Sequence, residues 1–337
     1  MKEKLRQGFT TGTAASAAAK GATLYLLTRK IPEKIDVLLP DGKTMQIRVF
    51  LENGLVGVKK DSGDDPDITN GITIFAKVRR LSKEGDIVLK GGKGVGYVTK
   101  PGLQVPVGQP AINPIPAEMI KENVRDVIKK WGLEVEIIIP EGERIAKKTF
   151  NERVGVMGGL SIIGTTGIVK PMSLEALMLT IKCEMDVAVA SGYTKIGLVP
   201  GRLGEEALKK ILTIRIPIVQ MGNFMGFALG YASEKKVKEV ILGGHPGKLA
   251  KIAMGYLNTH SSRSPQATSY VAELIGLSNH YNTVEEIIQA LPDEERFKQF
   301  SRLASKIADK VCDFYQFIQV SVYLFDMQKN LIGQCGR

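Results

Sequence analysis

The sequence predicts two domains, an α+β domain over residues 1–148 and an α/β domain with a mainly parallel sheet over residues 149–337. Three observations favour this division. The chain of 337 residues is long enough for two domains of ordinary size. Its first half consists mainly of strand-like runs and turns after one opening helix. Its second half repeats a short apolar strand, a glycine turn and a helical stretch three times, which is typical of a parallel sheet.

The first half opens with an alanine-rich helix that is preceded by an unusual turn, GFTTGTAASAAAK at residues 8–20. Thr11 and Thr13 are good N-cap residues, and Gly12 allows the backbone to turn tightly before the helix. The alanines leave room for a close approach along one helical face. Two interpretations are open: a capped helix packed into a core, or an exposed helix N-terminus that holds a phosphate or carboxylate.

The rest of the first half predicts a β-rich core. KIDVLLPDGKTMQIRVF indicates a hairpin around Pro40-Asp41-Gly42, and DITNGITIFAKVRRL and DIVLKGGKGVGYVTK indicate further strands. A proline-dense connector then leads into an amphipathic helix over residues 117–131, and LEVEIIIPEG predicts a strand with alternating burial.

The second half contains the strands KIGLVPG, IPIVQMG and KEVILGGHPG, each followed by a helical stretch. Gly201, Gly222 and Gly243 recur about twenty residues apart, as expected of successive βα units. A long helical stretch over residues 283–317 and a last strand, QVSVYLFD, complete the chain. Ligands of such sheets bind beyond the carboxyl ends of the strands.

The strand-end turns are therefore candidate ligand sites. Gly222-Asn223 and the run 243–248 would let the backbone approach a nucleotide-like ligand, with Lys248 in the first turn of the following helix. The sequence contains neither GxGxxG nor GxxxxGK[ST], so it carries no dinucleotide fingerprint and no P-loop. A nucleotide-phosphate enzyme that uses the 243–248 turn stays open as an alternative.

The composition is basic, with a formal net charge of +11 and a pI near 9.4. Such a balance favours a polyanionic partner: nucleic acid, a membrane surface or an acidic small molecule. The basic residues are scattered, and no RNA-binding signature is present. A basic nucleic-acid-binding protein with purely structural glycine turns remains the main alternative from another class.

Further absences in the sequence limit the function classes. No run of about eighteen apolar residues occurs, which argues against a membrane span, and Lys20 interrupts the only signal-like stretch. Cys183, Cys312 and Cys335 form no CxxC pair, which argues against a zinc site and a disulfide framework. We therefore predict a cytoplasmic protein without a metal site of its own.

The segment NERVGVMGGLSIIGTTGIVKPMS, residues 151–173, is rich in glycine and hydroxyl side chains within an apolar run. It predicts either close backbone approach to a ligand or a buried crossover, and the sequence does not decide between them. His245 and His260, fifteen positions apart, bracket one predicted helix, which is not the spacing of HExxH or a zinc finger. The third histidine, His280, is predicted to lie in a surface loop.

Five blocks of the sequence together resemble one family. LRQGFTTGTAASAAAKGA, VTKPGLQVPVGQPAINPIPAEMI, NERVGVMGGLSIIGTTGIVKPMS, QMGNFMGFAL and ILGGHPGKLAKIAMGYLNTHS closely resemble the cobalt-precorrin-5B C-1-methyltransferases, the CbiD family of anaerobic cobalamin biosynthesis. They occur in family order between residues 5 and about 261. The resemblance implies methylation of the macrocycle carbon C-1 by S-adenosylmethionine, giving cobalt-precorrin-6A. It also implies an α+β domain followed by a Rossmann-like domain.

The basic composition fits a substrate edged with acetate and propionate carboxylates. Cobalt would arrive within that substrate, so the chain need not supply a metal ligand set. We expect a polycarboxylate corrinoid as partner, with no nucleic acid, no membrane and a possible homo-oligomer. The site residues expected on this basis fall in three groups: His245 and His260 as catalytic; Gly222, Asn223, Gly243 and Gly244 as cofactor-binding; and Thr10, Thr11, Gly12, Thr13, Lys100, Arg153, Ser161, Thr165, Thr166 and Lys248 as substrate-binding.

Two departures from the family pattern limit what the resemblance implies. Ala14 stands where the family often has cysteine, which excludes a catalytic thiol at that position. After Thr-His-Ser this chain continues SRSPQATSYV instead of a basic and acidic run, which puts an acidic partner of His260 in doubt. The final seventy or so residues match weakly and carry no expected site residue.

Overall fold

A computed structural model describes residues 5–336, and the chain divides into two compact units, unit 1 (Met1–Leu174) and unit 2 (Glu175–Arg337). Both units combine helices with strands in mixed sheets, so the prediction of α and β elements in each half is confirmed. Within residues 5–336, no helix has both the length and the apolar character required to cross a bilayer.

Unit 1 contains eleven strands, several of them very short, and three helices in its described residues. In chain order they are β1 (Gly8–Phe9), α1 (Thr11–Thr28), β2 (Lys34–Leu38), β3 (Thr44–Arg48), β4 (Phe50–Glu52), β5 (Leu55–Lys59), β6 (Thr73–Arg80), β7 (Ile87–Gly91), β8 (Tyr97–Val98), α2 (Pro114–Val127), β9 (Leu133–Ile138), α3 (Gly142–Ala146), β10 (Val156–Met157) and β11 (Ile168–Val169).

The core of unit 1 is a five-stranded sheet in the order β4-β5-β6-β9-β7, covered by α1. Only the β7–β9 pair is parallel. The predicted hairpin is present as β2–β3. Small residues let α1 lie close to the sheet: a Cβ placed on Gly21 would lie 2.8 Å from Val56 Cγ1 and 2.9 Å from Ile35 Cδ1. The alanine-rich composition of α1 is thus explained by close packing.

Unit 1 ends later than the sequence predicts, at Leu174 and not at residue 148. The reason is strand pairing that the sequence does not reveal. β10 pairs with β8, and β11 pairs with β1, so the segment after residue 148 returns to the first half of the chain. Isolated bridges between Ile112 and Ile162 and between Val95 and Leu160 add to this attachment.

Unit 2 contains five strands and seven helices in its described residues. They are α4 (Leu174–Ala190), β12 (Lys195–Val199), α5 (Arg202–Ile211), β13 (Ile218–Gln220), α6 (Met225–Glu234), β14 (Glu239–Gly244), α7 (Pro246–Ala253), α8 (Thr268–Ile275), α9 (Val284–Ala290), α10 (Asp293–Phe314), β15 (Gln319–Phe325) and β16 (Leu331–Gly336).

The sheet of unit 2 has the order β13-β12-β14-β15-β16. The first three neighbouring pairs are parallel and the last is antiparallel. The three predicted strand–helix repeats are present as β12–α5, β13–α6 and β14–α7. Because the four parallel strands point the same way, the turns after Val199, Gln220 and Gly244 lie at one edge of the sheet.

Two sequence expectations for unit 2 are wrong in detail. QVSVYLFD is not the last strand, because β16 folds back against β15. The helical stretch over residues 283–317 is two helices, because Pro292 has no N–H and stands at the N-cap of α10. α10 packs closely on β16, where a Cβ on Gly333 would lie 2.4 Å from the carbonyl carbon of Phe300.

Candidate functional site

The start of α1 is capped from within unit 1. Thr10 is the N-cap residue, not Thr11 or Thr13 as predicted, and its Oγ1 accepts a hydrogen bond from the backbone N–H of Thr13 at 3.2 Å. The Thr13 hydroxyl donates to the carbonyl oxygen of Gly167 at 2.7 Å. Both threonines are buried. The Thr10 hydroxyl therefore caps the helix, and the Thr13 hydroxyl attaches Gly167 to its first turn.

Thr11 and Gly12 make the same attachment. The Thr11 hydroxyl accepts from the N–H of Ile163 at 2.9 Å and donates towards the carbonyl oxygens of Ile163 and Ser161, at 3.2 and 3.3 Å. The Gly12 N–H donates to the Ile163 carbonyl at 3.0 Å. The prediction of an exposed helix N-terminus is wrong, because the loop 161–167 covers it. The interpretation of a capped helix packed into a core is the one that the structure has.

The loop over α1 presents its remaining polar residues outward. Thr165 and Thr166 are exposed, and Ser161 is half-buried. The Thr166 hydroxyl donates to the carbonyl oxygen of Ile168 at 3.1 Å, which shapes the turn locally. The structure thus brings residues 10–13 and 161–166 together. The sequence had indicated them as two separate candidate binding segments.

Lys100 and Arg153 lie together on a second surface of unit 1. The β8–β10 pair places Tyr97 opposite Met157, and these side chains are 43% and 45% exposed. Lys100 Nζ donates to the Arg153 carbonyl oxygen at 3.5 Å, and the Arg153 guanidinium lies 5.6 Å from the centroid of the exposed Phe150 ring. We call these five residues the ribbon surface.

The ribbon surface combines exposed apolar side chains with two cations. Exposed apolar surface is typical of ligand-binding and partner-binding sites, and Lys100 and Arg153 place positive charge beside it. Tyr97, Phe150 and Met157 were not among the residues predicted from the sequence. In strands of only two residues the alternation of buried and exposed positions is too short to recognise, so the sequence carries no usable signal for them.

In unit 2, Gly222 follows the end of β13 and adopts a backbone conformation that favours glycine, with φ at +59°. A Cβ there would meet only Leu177 Cδ2, at 3.5 Å, and Phe224 Cδ2, at 4.0 Å. The next residue, Asn223, accepts hydrogen bonds from Thr259: its carbonyl oxygen from the N–H at 3.1 Å and its Oδ1 from the hydroxyl at 3.3 Å. A side chain at Gly222 would therefore make ordinary van der Waals contacts, and it is the positive φ that favours glycine here.

Gly243 and Gly244 have a different environment. Both are buried within β14, and a Cβ on Gly243 would lie 2.4 Å from Leu208 Cγ. A Cβ on Gly244 would lie 2.9 Å from Pro200 Cδ. Close packing against α5 and the β12 turn accounts for these two glycines, whereas the sequence analysis attributed them to the approach of a ligand.

His245 is the N-cap residue of α7, and both ring nitrogens are engaged. Nδ1 accepts from the N–H of Gly247 at 3.1 Å, and Nε2 lies 2.9 Å from Glu285 Oε2. Because Nδ1 is an acceptor, Nε2 carries the proton and donates it to the carboxylate. The structure therefore gives His245 a capping role, and the predicted role as a general base has no free nitrogen to support it.

His260 differs from His245 in that it is exposed. Its Nδ1 contacts the Ser262 hydroxyl at 2.8 Å and accepts from the Ser262 N–H at 3.2 Å. Nε2 has no hydrogen bond to any of the described residues. Within residues 5–336, no Asp or Glu side chain forms a hydrogen bond with His260. The sequence after Thr-His-Ser likewise lacks the acidic run that the family tends to have.

The comparisons with known proteins agree on one family. Residues 1–171 match the CbiD family model, and residues 258–336 match the model of the CbiD C-terminal domain. The chain belongs to the CbiD family. The resemblance stated from the sequence blocks is therefore confirmed, and the final segment, which was expected to match weakly, has a family model of its own.

The similar CbiD proteins span nearly the whole chain. The cobalt-precorrin-5B C(1)-methyltransferase of Moorella thermoacetica is 39% identical, with 99% of this chain and 96% of that protein covered. That of Methanocaldococcus jannaschii is 37% identical, with 98% and 97% covered. A crystal structure of the cobalamin biosynthesis protein CbiD from Archaeoglobus fulgidus is 34% identical over 74% of this chain and 80% of that one, with a TM-score of 0.42.

The expected site residues of this CbiD chain are divided between the two units. Unit 1 holds residues 10–13, Lys100, Arg153 and the loop 161–166, whereas unit 2 holds the glycine turns and both histidines. Lys248 was expected to bind substrate with the first group, yet it lies on α7 of unit 2, among the cofactor candidates. Residues 5–336 contain no cluster of three or more His, Cys, Asp or Glu side chains suited to a metal ion.

Replacing His245 with asparagine tests the capping role in this CbiD protein. Asparagine is also a good N-cap residue, so we expect His245→Asn to keep the fold and to leave single-turnover methyl transfer within a few-fold of the parent. The measurement is the single-turnover rate between pH 6 and 8. A loss of a hundredfold or more in a normally folded variant would show that His245 takes part in the chemistry.

Proposed function

We propose that this chain methylates C-1 of cobalt-precorrin-5B, with S-adenosylmethionine as the methyl donor, to give cobalt-precorrin-6A in anaerobic cobalamin biosynthesis. The observation that carries the proposal is the near full-length match to cobalt-precorrin-5B C(1)-methyltransferases. The net charge of +11 supports it, since the substrate is a polycarboxylate.

The macrocycle binds to unit 1 in this proposal, on the ribbon surface and the outer side of the loop 161–166. Lys100 and Arg153 pair with peripheral carboxylates, and each charge-assisted contact contributes roughly 1.5–3 kcal/mol. Tyr97 and Met157 contact the ring itself. Ser161, Thr165 and Thr166 are the polar contacts available on the loop. Residues 10–13 act from beneath, because their hydrogen bonds hold this loop in place.

The cofactor binds in unit 2, which we propose is a Rossmann-like domain. The carboxyl ends of the parallel strands are where such sheets bind ligands. Gly222 and Asn223 fit this role, because they follow β13 at the strand-end edge and Gly222 has a positive φ that favours a residue without a side chain. Gly243 and Gly244 support the site indirectly by allowing β14 to pack against α5. When bound, S-adenosylmethionine supplies an electrophilic methyl group.

The residues of this chain contribute mainly alignment. Methyl transfer from a sulfonium is an in-line displacement, and it requires the reacting atoms to be held about 3–3.5 Å apart. No protein nucleophile is needed, in agreement with Ala14 at the position where the family often has cysteine. His260 is the proposed proton acceptor, since the residue is exposed and its Nε2 makes no hydrogen bond with the described residues.

The proposal is tested with the purified chain, S-adenosylmethionine carrying a ¹³C methyl group, and cobalt-precorrin-5B under anaerobic conditions. We expect one labelled methyl at C-1 and stoichiometric S-adenosylhomocysteine. A thermal-shift series with S-adenosylhomocysteine, ATP and duplex DNA accompanies the assay. The absence of transfer, together with stabilisation by DNA alone that collapses at moderate salt, would favour the nucleic-acid-binding alternative.

Replacing Arg153 with alanine tests the ribbon surface. The variant loses one planar, doubly donating cation, so we expect the Kd for the corrinoid to rise about tenfold or more, the size of one charge-assisted contact. The Kd for S-adenosylhomocysteine should be unchanged. Arg144→Ala is the matched control, because Arg144 is an exposed arginine of unit 1 that pairs locally with Glu141. Weaker cofactor binding with normal corrinoid binding would contradict the assignment.

We also propose that the enzyme works in the cytoplasm, where the rest of a soluble biosynthetic pathway would supply its substrate. Homo-oligomer formation remains a prediction that size-exclusion chromatography with light scattering would test.

A further inference from the structure

Lys251 is a buried cation that the methyltransferase proposal does not use. It lies on α7 and is only 7% exposed. Its Nζ donates to the carbonyl oxygen of Thr259 at 3.1 Å and to the hydroxyl of Ser264 at 3.0 Å. Both acceptors are neutral. No carboxylate oxygen of residues 5–336 lies within ion-pair distance of this ammonium.

Lys248 lies one turn earlier on the same helix, three residues before Lys251 and therefore on the same face. Its ammonium has no hydrogen bond or ion pair with the described residues. Desolvation and repulsion from the Lys251 ammonium lower the pKa of Lys248. The two lysines thus form a small cationic cluster that lacks an anion.

Such a cluster is unusual in a folded protein. Lysine is almost never fully buried unless it is paired, because removing an ammonium from water is costly without a compensating charge. Elsewhere in this chain the buried lysine obeys that rule: Lys60 is 2% exposed and pairs with Asp67 at 2.6 Å. The missing anion at Lys251 therefore indicates a ligand.

The cluster is connected to the proposed cofactor turn. Thr259, whose carbonyl oxygen accepts from Lys251, donates through its N–H and hydroxyl to Asn223. A series of hydrogen bonds from Lys251 through Thr259 to Asn223 therefore connects α7 with the turn after β13. Since α7 begins directly after β14, Lys248 in its first turn lies at the same edge of the sheet as Gly222, and Lys251 in its last turn is connected to that edge through Thr259.

We propose that Lys248 and Lys251 bind the α-carboxylate of the methionine moiety of the methyl donor. This inference rests on the proposed function. It states that the two ammonium groups bind the anionic end of the methyl donor. Lys248 provides an ammonium group that can donate to the carboxylate. Lys251 provides positive charge and its third ammonium hydrogen, which is bonded to neither Thr259 nor Ser264. Lys248 accordingly binds cofactor, not the macrocycle as the sequence analysis expected.

The test compares two ligands that differ in the amino-acid portion. S-adenosylhomocysteine carries the carboxylate, whereas 5′-methylthioadenosine keeps the adenosine and the thioether and lacks it. Kd values for both are measured by calorimetry on the parent, Lys248→Met and Lys251→Met. We expect each substitution to weaken S-adenosylhomocysteine binding about tenfold or more and to leave the 5′-methylthioadenosine Kd within about twofold.

The two Kd values are compared within each variant. A damaged fold would raise the Kd for both ligands and leave their ratio unchanged, whereas the loss of a carboxylate contact raises only the Kd for S-adenosylhomocysteine. Lys210→Met is the matched control: Lys210 is exposed on α5, and its loss lowers the net charge equally. We expect its ratio to equal that of the parent. Lys248→Arg should restore most of the S-adenosylhomocysteine affinity, since it keeps the charge.

Other outcomes have distinct meanings. Unchanged S-adenosylhomocysteine binding in both lysine variants overturns the inference. If the Kd for the corrinoid rises in these variants instead, the lysines bind the macrocycle. Parallel loss of both ligands in Lys248→Met also overturns it. If the parent binds neither ligand, the proposed function itself fails.

Discussion

The variant Asp67→Asn is expected to lower the free energy of unfolding by about 3–5 kcal/mol, the usual cost of leaving one partner of a buried ion pair without its counterion. Lys60, directly after β5, has a side chain that is 1% exposed, and its Nζ lies 2.6 Å from Asp67 Oδ2. Asparagine nearly preserves the shape of the site and removes the charge. The measurement is urea unfolding of unit 1 followed by Trp131 fluorescence.

Acid should act on the same pair. Burial raises the pKa of Asp67, but hydrogen bonds and charge from Lys60, with further donors from Thr69, outweigh it, so the pKa is below its ordinary value. The unfolded chain, with an ordinary aspartate pKa of about 3.9, then binds the proton more readily than the folded one. The stabilisation is present above that pH and is lost as the pH falls through the folded pKa. Asp67→Asn should lack this part of the acid dependence.

Two controls make the test specific. Lys60→Met combined with Asp67→Asn removes the stranded charge, so it should recover much of the lost stability. Asp41→Asn removes the partner of Lys43 in a pair that is exposed on both sides, and it should change the unfolding curve little. If Asp67→Asn unfolds at the same urea concentration as the parent, the buried pair contributes no net stability.

The variant Gly243→Val is expected to destabilise unit 2 by about 1–3 kcal/mol or more, as overpacking of a close-packed core does. A Cβ at this position would lie 2.4, 2.5 and 2.9 Å from three carbon atoms of Leu208. Leu208 is fully buried, so its side chain is surrounded by other core residues. The measurement is urea unfolding followed by circular dichroism.

Leu208→Ala in the same chain provides the decisive control. Leu208→Ala alone leaves a cavity and is destabilising, but together with Gly243→Val it makes room for the new side chain, so the double variant should be more stable than the sum of the single changes implies. Folded Gly243→Val protein should still bind S-adenosylhomocysteine. A fully stable variant that has lost this ligand would instead show that the ligand approaches Gly243 directly.

Much of the fold could be predicted because it depends on local pattern. The β2–β3 hairpin follows from a Pro-Asp-Gly turn between alternating runs, and the strand–helix repeats of unit 2 follow from apolar strands that end in glycine. The errors lie where a distant segment decides the structure. β10 and β11 are two residues long, and only their pairing with β8 and β1 attaches them to unit 1.

The candidate site shows the same limit at the level of single residues. The sequence predicts that Thr11, Gly243 and His245 have a particular role. It does not say which role, because threonine, glycine and histidine each occur both in ligand sites and in purely structural positions. A threonine at a helix start can cap or bind a ligand, and only the loop 161–167 decides that Thr11 bonds to Ile163. Lys251 was not singled out, because a lysine in KLAKIAMGYL is an ordinary helical residue until its burial is known.

The sequence by itself determined the family, the basic character of the chain, its alternation of strands and helices, and the position of the strand-end turns. These depend on residue types and short spacings, which the linear order contains in full. The tertiary structure decided which groups meet. It covered the start of α1, engaged both nitrogens of His245 and left Lys251 buried without an anion. Burial and hydrogen-bond satisfaction depend on residues far apart in the chain, and for this reason only the folded molecule could assign them.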